Sequence, residues 1–565
     1  METSKKNVIV LDEGYYLKYF DIILQSVIDR YSDLLSKDEN AVVTAYGSLS
    51  KNAKLLLVRL LTRKGPWILA RSLNYVEINI SSALKELIDS ELITDQVSAE
   101  LADIIILLKK SELIEITKAL GIDYSKKILK HDLLELLNEN ADPALLLHEI
   151  RKIKAVKITF PEVIQIIYLL FFGNFEQTLS EFIIQDVGNI TYENYQICVE
   201  NRLFTCRDEI EKLFWLKNLN ERLDENIETE DMGSILEIAE FLLQMDKSQA
   251  IRVQRRYQKL LYRIGYILEQ SSNLEKALIC YEMSRIPPCR ERIVRINMKI
   301  NNKEEAFSLA YKMFEAPMDF SEFDYARKFI KRSIKKDKTE FLNPSKLEFK
   351  EIPEIELELF REPELKIEEQ VINHLKMQNI VGWHTENMLI RAIFGLVFWD
   401  VIFAPFSGVF QHQFQRGPND IRNPDFFSKR ANLFSEGFLM MNADYLKKKV
   451  TEVWNEKYGI ANLFVSWKYL SLEIVKLAID NIPADSICEI LQILSNNPKY
   501  LSCGFPDLFV RDHSKGTVGF IEVKGPGDTI RPKQRFWIER FNEFGIPAKI
   551  ARVKWKTADV SIDFS

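Results

Sequence analysis

Apolar residues recur at helical spacing through most of the first 340 residues and alternate at strand spacing only later. The run "NAKLLLVRLLTRKGPWI" carries an apolar stripe with Lys54, Arg59, Arg63 and Lys64 interleaved, which predicts a solvated amphipathic helix within a mostly helical segment 1–90. Residues 107–137 predict helix, turn, helix: Leu113 and Ile116 on the first, Gly121 in the turn, Lys130 and Leu133 on the second. Residues 160–340 read as helical throughout. At 343–369 the composition turns acidic and proline-punctuated and alternates like an edge strand or linker, so a domain boundary is expected there. Beyond it, "FPDLFVR" and "TVGFIEV" predict two strands around the turn "DHSKG". "GPGD" is a second turn. "RPKQRFWIERFNEF" predicts a helix with Pro532 at its start and Gly545 after its end, and "AKIARVKW" predicts one more strand.

The length of 565 residues suits three or four domains, and 47% hydrophobic residues suit ordinary packed cores. A net charge of −6 gives no global sign of nucleic-acid binding, so any such surface must be local. Six cysteines without a CxxC pair argue against a cysteine zinc finger and fit free thiols in a reducing compartment. No signal peptide is expected. The most membrane-like stretch, "IFGLVFWDVIFAPFSGVF", is interrupted by Asp400 and Pro405, which favours a buried core helix and turn.

Local charge is uneven. Residues 251–300 hold eleven basic against four acidic residues, and 251–268 has no acid at all. Arg252, Arg255, Arg256, Lys259 and Arg263 fall on one helical face, with Arg290, Arg292 and Arg295 further on. A one-signed face of this kind predicts a surface that follows DNA phosphates. The arginines are also candidates for a pocket that anchors a 5′ phosphate. A second basic run covers Arg327, Lys328, Lys331, Arg332, Lys335, Lys336 and Lys338.

The densest chemistry lies in "GFPDLFVRDHSKGTVGFIEVKGPGD". Side chains alternate along a strand, so Glu522 and Lys524 share a face. If the two strands pair as a hairpin, Asp507 lies opposite the end of the second. Two carboxylates and an ammonium then converge. Oxygen ligands suit a hard ion such as Mg²⁺ or Mn²⁺, which would polarise a phosphoryl oxygen. An ion-paired surface hairpin is the alternative.

"GFPDL", "FIEVKGPGD" and "KQRFWIERFNEFGI" resemble the virus-type replication–repair nuclease (VRR-NUC) module of the PD-(D/E)XK superfamily. The 107–137 segment resembles a SAP motif. "LLYRIGYILEQSSNLEKALICYEMS" resembles one tetratricopeptide repeat, with Gly265, Ala277 and Tyr281 at its small, small and aromatic positions. These elements, with "GLVFWDVIF", "DFFSKR" and "LFVSWKYLS", follow the order of the Fanconi-associated nuclease family. That resemblance implies a structure-specific DNA nuclease that removes 5′ flaps, degrades DNA 5′ to 3′ and acts in interstrand crosslink repair. It implies Glu386, Asp507 and Glu522 as ligands of one or two Mg²⁺ or Mn²⁺ ions, with the Val523 carbonyl as a fourth. It also implies Lys524 as the catalytic lysine, Lys533 and Gln534 as the family's KQ pair, and Lys499 as a phosphate contact. The family's usual "HGEG"-like context around the helix glutamate reads "HTEN" here, and His384 is taken as an ordinary polar residue. The chain has no cysteine before Cys198, so no ubiquitin-binding finger is implied, and a bacterial-type member is expected.

The expected fold is a multidomain, mostly α chain: a helical N-terminal domain (1–90), a SAP-like domain (91–160), a tetratricopeptide-like repeat domain (161–340) and an α/β restriction-endonuclease-like nuclease domain (341–565). The expected partner is branched or 5′-flap DNA without membrane, in the cytoplasm with the nucleoid if bacterial, nuclear if eukaryotic. A four-way-junction resolvase on the same core and a non-catalytic helical scaffold are the alternatives.

Overall fold

The computed structural model describes residues 14–97, 101–187, 190–245, 250–336, 351–423 and 425–556. It falls into two compact units, Met1–Ile190 with Ile197–Arg207, and Thr191–Gln196 with Asp208–Ser565.

The first unit opens with helices Tyr15–Tyr31, Lys37–Ser48 and Lys51–Leu61. Ser36 and Glu39 cap the second reciprocally, and the Ser50 hydroxyl caps the third. The stripe of Lys51–Leu61 buries Leu55, Leu56, Leu57, Val58 and Leu60. Its basic residues are tied down locally: Arg59 pairs with Glu77 at 3.1 Å and lies over the Tyr16 ring, while Arg63 donates to the Tyr75 hydroxyl. Strands β1 (Trp67–Leu69), β2 (Ile93–Thr94) and β3 (Ala155–Ile158) form an antiparallel sheet in the order β1-β3-β2. This sheet joins the expected 1–90 and 91–160 segments, because β3 returns to pair with both. Between β2 and β3 stand helices Lys110–Ala119 and Lys130–Asn140, with Gly121 at φ +70° between them. Leu113, Ile116, Leu133 and Leu137 are buried in a core of that segment, shared with Trp67 and Leu69.

The second unit begins with helices Arg207–Glu228 (continuing from the first unit), Met232–Gln244, Ile251–Gln270 and Leu274–Ser284. Gly265 is needed here. A β-carbon on it would stand 3.0 Å from the Tyr281 ring and 3.1 Å from the Cys280 side chain, which accounts for the small and aromatic pattern of the repeat. Helix pairing continues with Cys289–Lys299, Lys303–Glu315 and Phe320–Lys336. Of the second basic run, Lys338 and the side chains of Lys335 and Lys336 lie outside the described residues, as does 343–350 of the expected boundary stretch.

The C-terminal sheet contains β4 (Glu354–Leu359), β5 (Ile380–His384), β6 (Leu508–Asp512), β7 (Thr517–Lys524) and β8 (Ala548–Trp555), in the order β4-β8-β7-β6-β5. The hairpin β6–β7 is antiparallel, as is β5–β6, while β4, β8 and β7 run parallel. The alternating acidic stretch is an edge strand: Glu354 and Glu356 of β4 pair with Arg552 and Lys554 of β8. Helix Pro532–Glu543 crosses between β7 and β8 and buries Trp537, Ile538 and Phe541. The membrane-like stretch is core: helix Leu389–Val397 buries eight of its residues, and Trp399 and Ile402 follow them inside. Among the described residues, no helix is long and apolar enough to cross a membrane.

Candidate active site

The site is built where β5 and β7 end and β6 begins. Asp507 immediately precedes β6, and its Oδ2 accepts the Val523 backbone N–H at 2.8 Å. The carboxylate is thereby clamped to the far strand of the hairpin. Glu522 and Lys524 share one face of β7, with Nζ 2.7 Å from Oε1. The loop before Asp507 runs close to helix Pro532–Glu543. Gly504 has φ +89°, and a β-carbon there would stand 2.7 Å from Lys533 Cγ and 3.0 Å from its backbone carbon, so glycine is required twice over.

Glu386 reaches the site from the other side. Strand β5 pairs with β6 in the register His384↔Leu508. One residue on, the Thr385 N–H donates to the Asp507 carbonyl at 2.9 Å. Glu386 then lies in a turn, and the helix begins only at Leu389. The expectation that Glu386 opens the helix is corrected: backbone pairing to Asp507 positions it, not the helix terminus. Asn387 explains the "HTEN" context. Its φ is +55°, a left-handed conformation that glycine adopts freely and asparagine tolerates. Its Oδ1 accepts the Gly504 and Phe505 N–H groups at 2.7 and 3.2 Å, tying the Glu386 turn to the Asp507 loop. Its Nδ2 donates to Glu386 Oε1 at 3.0 Å.

Electrostatically the site is under strain. Burial pushes the Asp507 carboxyl up to about 6; the Val523 N–H opposes this and the nearby Glu386 charge adds to it. Burial pushes Glu522 up to about 7, with Asp507 as the next cause. Glu522 is fully buried, and its close counter-charge is the Lys524 ammonium 2.7 Å from Oε1. The Lys524 Nζ also donates to Gln534 Oε1 at 3.2 Å, and that oxygen accepts the Arg531 N–H, the helix's capping contact. One ammonium does not balance three neighbouring carboxylates, two of them buried, so the cluster is expensive until a further cation joins it. The oxygen donor set fits a hard divalent ion.

His384 was not anticipated. Its ring lies with Glu386 and Asp507, one potential ligand atom from each lying within 4.8 Å of the others. The signal was available: His384 and Glu386 are two apart on extended backbone and so share a side.

Of the other expected residues, Lys499 is exposed and donates to the Tyr500 hydroxyl, and Lys533 Nζ stands 3.8 Å from Cys503 Sγ. The arginine stripe differs from expectation. Arg252 pairs with Glu209 at 3.2 Å, Arg263 with Asp224 and Asn220, and Arg290 with the buried Glu322. Arg292 pairs with Glu269 at 3.6 Å, Arg295 with Glu291, and Arg255 donates to Asn423. Arg256 and Lys259 also have partners. The face is one-signed along its own helix but not in space, because most of the acids come from elsewhere in the fold.

Comparison with known proteins bears on the whole arrangement. Residues 441–555 match the VRR-NUC domain, and residues 14–94 match the FAN1, HTH domain. A Pseudomonas aeruginosa Fanconi-associated nuclease 1 homolog is 28% identical over 559 residues, covering 96% of both chains. The fold superposes on a crystal structure of paFAN1 bound to 2-nt 5′ flap DNA with a gap, with a TM-score of 0.83, 26% identity, and 98% and 100% of the two chains covered. The chain thus carries matches to both domains and is similar along nearly its whole length to Fanconi-associated nucleases. An Arabidopsis thaliana homolog is 24% identical over 595 residues, covering 95% of this chain and 67% of its own. The VRR-NUC domain and these likenesses make the chain a DNA nuclease, a hydrolase, and the domain implies use of a divalent metal. The scaffold alternative is set aside. Glu386 and His384 lie outside the matched 441–555 and join the site through β5.

Proposed function

We propose that this chain is a structure-specific, divalent-metal-dependent nuclease that cuts 5′ flaps and degrades DNA from 5′ ends in the 5′ to 3′ direction, acting in DNA repair that includes interstrand crosslinks. The observation that carries the metal-dependent chemistry is the gathering of three carboxylates, Glu386, Asp507 and Glu522, two of them buried, against the single ammonium of Lys524. The flap preference is supported by the solved relatives, which hold 5′ flap DNA with 2-nt and 1-nt flaps.

Glu386, Asp507, Glu522 and the Val523 carbonyl would hold Mg²⁺ or Mn²⁺. A bound ion of this kind polarises a phosphoryl oxygen and makes water a better nucleophile. Lys524 offsets charge developing on the phosphate, and Gln534 holds the Lys524 ammonium in place. Lys499 and Lys533 offer cations to neighbouring phosphates. The 91–160 segment and the helical repeats hold the DNA, so that cut position follows from where the duplex is gripped, since the site reads no base. In a bacterial cell the protein works in the cytoplasm at the nucleoid.

The test is cleavage of 5′-flap, 3′-flap and four-way-junction DNA with Mg²⁺, Mn²⁺ or EDTA. Cleavage of the 5′ flap, faster than of the other two and lost in EDTA, is expected. Undiminished cleavage in EDTA would sink the metal reading, and symmetric cutting of the junction above all else would make the protein a resolvase.

A further inference from the structure

The carboxylates account for the buried half of the site but not for its open side. There, β5 ends with His384, followed by Thr385 and Glu386. The alternation of extended backbone separates them: Thr385 is buried, while His384 and Glu386 are both exposed on the other side. The Thr385 N–H is fixed to the Asp507 carbonyl at 2.9 Å, so the backbone between the two exposed side chains cannot drift from Asp507. A ring nitrogen of His384, a Glu386 oxygen and an Asp507 oxygen all lie within 4.8 Å of one another. Neither ring nitrogen has a hydrogen-bond partner or ion pair among the described residues, although two carboxylates stand beside it. A histidine held purely for structure in such company would be bonded to one of them. Further in, the buried Glu522 carboxylate, paired with the Lys524 ammonium, adds to the negative charge beside Asp507.

We propose that His384 is a metal ligand, which with Glu386 and Asp507 forms an outer cation position next to the inner one of Asp507, Glu522 and the Val523 carbonyl. Asp507, with two oxygens, is common to both. The outer position differs in kind from the inner because it contains a nitrogen donor. Mg²⁺ prefers oxygen and water and takes imidazole poorly, whereas first-row transition ions accept it. His384 therefore selects Mn²⁺ over Mg²⁺ at the outer position, while the inner position accepts either.

The inference rests on the proposed metal-dependent reading, and its test separates the two. Mn²⁺ and Mg²⁺ binding to the full chain is measured by calorimetry without DNA, and bound Mn²⁺ is examined by electron spin echo spectroscopy for nitrogen coupling. In the wild type, ¹⁴N coupling from one imidazole is expected. In His384→Gln the coupling disappears and Mn²⁺ affinity at one position falls by about tenfold or more, since loss even of an indirect partner of a metal costs that much. Mg²⁺ affinity changes by less than about twofold by the same reasoning. Mn²⁺ bound with no nitrogen coupling in the wild type, or with coupling that survives His384→Gln, overturns the role of His384 and leaves the carboxylate site standing. Absence of any Mn²⁺ binding that Asp507→Asn removes overturns the metal-dependent reading itself.

Discussion

Two regions of this molecule are dense in charge, and they handle it in opposite ways. Helix Ile251–Gln270 and the helices beside it carry cations whose anionic partners come from neighbouring segments: Glu209, Asp224, Glu269 and Glu322. The hairpin site gathers three carboxylates from separate stretches and sets one ammonium, Lys524, against them. In the first region folding neutralises charge; in the second it leaves an excess of negative charge. Like charges brought together and taken out of water cost stability, so they mark a place where something other than the chain is meant to bind.

The comparison breaks most sharply at Asp507. Asp507→Ala removes the group shared by both halves of the site, and cleavage should fall by about 10³-fold or more while the circular dichroism spectrum is unchanged. Residual activity near the wild-type level would show that chemistry occurs elsewhere. Next in size is Arg290→Ala, which strands the buried Glu322 carboxylate and should lower stability by about 2 kcal/mol or more in denaturant melts. Glu522→Gln should act in the reverse sense: in metal-free protein it relieves repulsion and raises Tm by about 2 °C or more, while metal protection is lost. A lower Tm would mean that the Glu522–Lys524 pair outweighs the repulsion among the carboxylates.

The raised carboxyls make that effect depend on pH. A carboxyl whose folded value lies above its unfolded one binds protons more readily when folded, so the metal-free protein loses stability as pH rises through about 6 to 7. Metal must displace those protons. The rise in Tm on adding Mn²⁺ should therefore grow between pH 5.5 and pH 8, and a flat profile would contradict the assignment. The smallest effect belongs to the stripe. Arg252→Gln and Arg263→Gln break partly exposed pairs, cost under about 1 kcal/mol each, and leave the slope of log K against log salt for DNA unchanged. Lys499→Gln and Lys533→Gln should make that slope shallower. The opposite ranking would restore the stripe as the DNA-holding surface.

Legibility in the sequence followed the range of the interactions. The hairpin, the helix after Pro532 and the strand 548–555 are short-range patterns of alternation and turn chemistry, and all three are present. The convergence of Asp507, Glu522 and Lys524 needed only strand parity and one hairpin. Glu386 came from resemblance, and its local setting was misjudged because the pairing of β5 with β6 spans more than a hundred residues. His384 was passed over because a lone histidine has no periodic signature, and only the same pairing gives it neighbours. The stripe misled for the complementary reason: a helix wheel records which face a cation occupies but not what lies across from it. The small sheet β1-β3-β2, which draws two expected segments into one unit, rests on strands of two to four residues, too short to register as a pattern.

Strand β5 and the hairpin β6–β7 sit far apart along the chain, with the helices from Leu389 to Leu501 between them. During synthesis, Glu386 leaves the ribosome long before Glu522 exists, and β8, which closes the sheet, comes later still. No nascent or prematurely terminated product ending ahead of β7 contains both halves of the cutting centre. The order of the strands thus ties assembly of the cutting centre to the last stretch of the chain to be made.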